Sequence, residues 1–146
     1  MRVTLHMPRY RNKQRLKEIL ARGKEVNSLT RYLILEEGCS YDEAIKGLDP
    51  FVSEWEDLVP YIEDSVSYGG DCTEEYNYDL SVRSALHEAL KHAPEEECLK
   101  FRDRIAKADQ QFKDATVVNN SADSHWGNLN KNEYWWLFRV IKNNPT

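Results

Sequence analysis

Apolar residues recur three and four positions apart over most of the chain, a spacing that predicts a mainly α-helical fold. After a short alternating run (Val3, Leu5, Met7) and Pro8, Leu16, Ile19 and Leu20 share one face of a helix near 11–22, with Gly23 as its stop. Asn27 or Ser28 suits the cap of a second helix carrying Leu29, Tyr32, Leu33 and Leu35, ended by Gly38. Ser40 and Glu43 form a capping-box pair ahead of Tyr41, Ala44, Ile45 and Leu48, which share a face. Beyond Asp49-Pro50, the series Phe51, Trp55, Leu58 and Ile62 predicts a helix that Pro60 should kink or divide and Tyr68-Gly69-Gly70 should end.

The second half predicts two longer helices. Asp79 is the expected cap of the first, with Val82, Ala85, Leu86, Ala89, Leu90 and Ala93 on its apolar face, and the polar stretch 71–78 before it reads as a loop. Pro94, placed in a first turn, and Glu95-Glu96-Glu97 open the second. Its stripe is Cys98, Phe101, Ile105, Ala108, Phe112 and Ala115, supported by i, i+4 pairs Glu96–Lys100, Asp103–Lys107 and Asp109–Lys113. Residues 119–132 are polar and read as loop. Residues 133–142, EYWWLFRVIK, fit a strand slightly better than a helix because they are rich in aromatic and β-branched side chains. A lone strand leaves its backbone groups unpaired, so residues 2–7 are its expected partner. The expectation is a single-domain bundle over 1–146 of about five to six helices, with a two-stranded ribbon joining the N- and C-terminal segments.

The 146 residues and 40% hydrophobic content suit one domain that needs neither disulfides nor metal for its core. No apolar run approaches the roughly 20 residues of a membrane span, and residues 1–12 show no signal-peptide core. Three widely spaced cysteines, Cys39, Cys72 and Cys98, make no disulfide framework, and a cytoplasmic setting is expected.

Charge changes the picture once it is resolved along the chain. The net charge is −5, yet residues 1–24 carry eight basic side chains and one acid, whereas residues 36–79 carry fourteen acids and one base. A basic head therefore precedes a strongly acidic middle.

Candidate chemistry is sparse. His87-Glu88-Ala89-Leu90-Lys91-His92 resembles a helical zinc-protease signature but spaces its histidines by five, so the rings diverge by about 140° around a helix. Cys98 falls on an apolar stripe, and neither Cys39 nor Cys72 has a visible base beside it. The carboxylate pairs of the middle match no calcium loop. No catalytic residue, metal site or cofactor is expected. The first two helices have helix-turn-helix proportions, but Glu36 and Glu37 on the second would face phosphates badly.

The preferred expectation is a small acidic non-enzymatic protein that binds a basic protein partner. Its most concrete form is an immunity or antitoxin protein masking a toxin that attacks nucleic acid. The expected binding residues are Glu54, Glu56, Asp57, Glu63, Asp64, Asp71, Glu74, Glu75 and Tyr76. The alternatives are a nucleic-acid-binding regulator using the basic head, and a small hydrolase using carboxylates with His87 or His125. Trp135-Trp136 is expected to anchor the core.

Overall fold

The computed structural model describes residues 9–63, 73–119 and 126–141. Six α-helices and a two-stranded antiparallel sheet occupy the described residues, a mainly α fold. Helices α1 (Arg9–Ala21), α2 (Ser28–Leu35) and the short α3 (Tyr41–Ala44) precede α4 (Asp49–Glu63), α5 (Thr73–His92) and α6 (Glu95–Ala115). Strand β1 (Thr116–Val118) follows, then a 3₁₀ turn at Trp135–Phe138 and strand β2 (Arg139–Ile141).

The local signals place the first three helices as expected. Asn27 caps α2 by accepting from Thr30 N–H at 2.8 Å. Ser40 and Glu43 close the capping box in both directions. At Gly38, φ is +69°, the left-handed conformation that ends a helix cheaply only with glycine. Ile45, expected on the buried face of the third helix, is instead exposed: that helix stops at Ala44, and a turn through Gly47 leads directly into α4.

Two longer-range expectations need correction. Helix α4 passes through Pro60 undivided; the proline lies on an exposed side near the C-terminal end, where one ladder bond is lost. Helix α5 begins at Thr73, not at Asp79, so the expected loop is largely helix. Its buried positions are Tyr76, Leu80, Arg83, Leu86 and Ala89, a stripe rotated from the expected one. Val82 and Ala85 are consequently only half-buried, while Arg83 takes a core position.

The fold carries a two-stranded ribbon, and β2 pairs in it with β1, in the register Thr116↔Ile141, Val117↔Val140 and Val118↔Arg139. The expected partner, residues 2–7, lies outside the described residues. Over its described residues, 133–141, the aromatic segment is neither all strand nor α-helix: its aromatic half makes the 3₁₀ turn, burying Trp136, Leu137 and Phe138.

Helix α6 buries Phe101, Ile105, Ala108 and Phe112 as expected, with Pro94 at the cap position. None of its three anticipated i, i+4 ion pairs forms among the described residues. Asp109 is claimed by Arg83, and Lys113 lies over the Trp135 ring at 4.6 Å. The core centres on Trp55, Phe112 and Trp136, each fully buried, and draws on every helix.

Candidate functional site

Two antiparallel helices shape the main candidate. Tyr61 near the end of α4 reaches Glu75 near the start of α5, its hydroxyl donating to Oε1 at 3.3 Å. Further along, Trp55 of α4 and Arg83 of α5 share one oxygen of Asp109, so the helices run in opposite directions. Between them lies an open groove of about 860 Å³.

The sequence explains the lining. On α4, Glu54, Asp57, Leu58 and Tyr61 fall at i, i+3, i+4 and i+7 and form one wall. On α5, Tyr78, Asp79, Ser81, Val82 and Ala85 form the other. Leu58, Val82 and Ala85 are half-buried and give the floor an apolar character; Glu54 and Asp57 stand on the α4 rim and Asp79 on the α5 rim. Tyr61 and Tyr78 are 44% and 49% exposed at the end near Glu75. Glu54 and Asp57 form no ion pair with any described residue.

The structure sorts the expected binding residues. Glu54 and Asp57 line the groove, and Glu75 is exposed at its end. Glu56 points elsewhere: Arg104 of α6 donates to both its oxygens, at 2.6 and 3.0 Å, and also reaches Asp49. That guanidinium holds the Glu56 carboxyl below the ordinary carboxylate range, so its charge is already answered within the fold. Tyr76 is buried, with its hydroxyl donating to the Arg139 carbonyl at 2.8 Å, and burial pushes its phenol above the usual value. It belongs to the core and not to a binding surface. Asp64 and Asp71 lie outside the described residues, as do the side chains of Glu63 and Glu74.

Sequence reasoning missed Tyr61 as a lining residue and assigned Asp79, Val82 and Ala85 to a cap and a core stripe. Tyr61 had a visible signal, since it falls on the Glu54–Asp57 face. The groove role of Val82 and Ala85 had none, because it follows from the rotation of α5.

The other candidate chemistries resolve into structural contacts. His87 Nε2 lies 2.7 Å from Glu133 Oε2, with its ring edge-on to Tyr134, whereas His92 stacks on Tyr32 at 3.8 Å between centroids. The two imidazoles thus serve different partners, and no cluster of three or more metal-binding side chains occurs among the described residues. The Cys98 thiol points at the carbonyls of Leu90 and Ala93, and burial together with Glu97 raises its pKa, the opposite of an activated thiol.

In the head, Arg15 of α1 donates to the carbonyls of Gly38 and Cys39, and so holds the end of α2. Helix α2 buries Leu29, Thr30, Leu33 and Ile34, leaving few side chains for reading base edges. No base of α1 pairs with an acid among the described residues, so the described side chains of that helix leave Glu54 and Asp57 unanswered. No described helix is long and apolar enough to cross a membrane.

No known protein family, curated protein or solved structure matches the chain.

Proposed function

We propose that this is a non-enzymatic binding protein whose α4–α5 groove receives a basic segment of a partner protein. The observation that carries the reading is the combination in one groove of carboxylates with no counter-ion among the described residues, Glu54 and Asp57, and two exposed tyrosines, Tyr61 and Tyr78. Carboxylates left unanswered within the fold attract and orient an oppositely charged surface. Tyrosine faces add apolar area and a site for a Lys or Arg side chain over the ring. In its most concrete form the partner is a toxin acting on nucleic acid, whose phosphate-attracting site the carboxylates occupy. The reading places the protein in the cytoplasm.

The test is partner capture from the native cell with wild type and with the Glu54→Lys/Asp57→Lys double variant. The reading expects a basic partner that the variant fails to retain and that rising salt releases. A partner that is acidic, or retained equally by the charge-reversed protein, would sink it.

A further inference from the structure

The basic head offers a second surface, whose chemistry is opposite to that of the groove. We infer that helix α1 docks double-stranded DNA by lying in its major groove, with a row of cations against each phosphate wall. This goes beyond the groove reading and does not rest on it.

The first observation is how α1 is mounted. It packs mainly on α2, and of residues 10–22 only Asn12, Leu16 and Ile19 are buried and Arg15 half-buried. Asn12 Nδ2 donates to the Leu35 carbonyl at 2.9 Å, and Arg15 is committed to the carbonyls of Gly38 and Cys39. The remaining side chains are exposed and span roughly 200° of the helix circumference. Residues 1–8, which precede the helix, contain no acid that could answer its charge.

The second observation is the layout of the exposed cations. Lys13 and Lys17 fall on one flank and Arg11 and Arg22 on the other, about 150° apart across an outer ridge of Tyr10, Gln14 and Ala21. Arg22 keeps its helical place, since its N–H bonds to the Glu18 carbonyl at 3.2 Å. None of the four forms an ion pair with a described residue. Cations on both sides of a ridge complement an anionic furrow with two walls. A membrane surface is flat and takes up such a helix by its apolar side, which here, at Leu16 and Ile19, is buried. A single strand presents one line of phosphates, and the major groove of duplex RNA is too deep and narrow for side chains to read. The major groove of B-DNA is about 12 Å wide, walled by phosphates on both sides, and admits an α-helix. Glu18, the one acid of α1, lies between the ridge and the arginine row and opposes the contact.

Fluorescence anisotropy of a labelled DNA duplex of about 20 base pairs, or two turns, titrated with the full chain, tests this. Four neutralised phosphates should make the affinity fall on the order of a hundredfold between about 50 and 200 mM salt, a logarithmic slope near about −3.6. Lys13→Ala/Lys17→Ala and Arg11→Ala/Arg22→Ala should each weaken binding at least about tenfold at the lower salt and reduce that slope by about two. Glu18→Gln should bind more tightly than wild type. Lys100→Ala/Lys107→Ala on α6 removes two exposed cations elsewhere and should bind as wild type does. Circular dichroism confirms that each variant is folded.

Dependence on both rows, with the α6 variant unaffected, supports the inference. A loss confined to one row overturns the seating in a two-walled groove. Equal affinity for a single strand, for duplex RNA or for vesicles of phosphatidylserine overturns the assignment to duplex DNA. So does a loss in the α6 variant as large as in the rows, which would reflect overall charge alone. No binding at about 50 mM salt, where phosphate contacts are strongest, overturns it outright. Sedimentation of the protein alone examines the remaining occupant, a second copy of this chain: association that the row variants abolish, without DNA binding, also overturns it. None of these variants touches Glu54 or Asp57, so failure here is distinguishable from failure of the groove reading.

Discussion

Arg83 of α5 and Asp109 of α6 form a bidentate ion pair within the core, Nε to Oδ1 at 2.9 Å and Nη2 to Oδ2 at 3.0 Å. Their side chains are only 7% and 15% exposed, so the pair is one of few charges among the described residues kept from water. Trp55 Nε1 donates to the same Oδ1 at 2.9 Å, and the guanidinium lies over the Trp136 ring at 4.5 Å. One carboxylate thus joins α4, α5 and α6, and the cation it holds seats the aromatic C-terminal turn.

Removing one partner should therefore cost more than removing both. Asp109→Ala leaves Arg83 buried and uncompensated, with an expected loss of about 3–5 kcal/mol. The double variant Arg83→Met/Asp109→Leu removes both charges while keeping the volume, and should lie within about 2 kcal/mol of wild type. Urea unfolding midpoints at an unchanged slope measure both. A loss below about 1 kcal/mol for Asp109→Ala, the range of exposed pairs, would mean that water screens the pair.

Gly47 and Glu97 form a second long-range joint. Gly47 has φ +64° and lies against the Glu97 carboxylate, which accepts the Leu48 N–H at 2.6 Å beside the start of α4. Gly47→Ala should cost about 1–2 kcal/mol from the left-handed backbone alone, and more because the new methyl displaces Glu97. In a Glu97→Ala background the methyl has room, so the two losses should sum to more than that of the double variant. Strict additivity in thermal or urea unfolding would refute the coupling.

Acid should weaken the contact between α5 and the C-terminal segment. His87 and Lys91 hold the Glu133 carboxyl below its ordinary value of 4.5, and Glu88 and Tyr134 complete the surroundings. A carboxyl with a lower pKa in the folded state adds stability above the ordinary value and loses it as pH falls through the lowered one. Wild type should therefore be more stable than Glu133→Gln at pH 7, and the gap should close as pH falls below about 4.5. Unfolding midpoints across that range measure it; a gap that persists unchanged into acid would show that Glu133 acts through packing and not charge.

Legibility in the sequence tracked the distance over which each signal acts. The Ser40–Glu43 capping box, the Gly38 stop and the apolar stripe of α6 are contacts within one turn or one helix, and each was readable. The acidic character of 36–79 was readable as well, and with it two of the groove's carboxylates. Which acids remain unanswered was not. Glu54 and Glu56 are two residues apart and look alike, yet Arg104, 48 positions further on, takes only the second. The same limit hid Tyr76, whose burial comes from packing beneath the β-ribbon side of the fold and not from its polar neighbours in the chain.

The sequence by itself determined that the chain is mainly helical, where most helices begin and end, and that its negative charge is concentrated in the middle. These follow from backbone capping and 3.6-residue periodicity, which act between near neighbours. Only the tertiary structure decided the rotation of α5, the pairing of β2 with β1, and the separation of free carboxylates from engaged ones. Arg83 could enter the core only because Asp109 of another helix was there to meet it, and that placement turned Val82 and Ala85 outward to floor the groove.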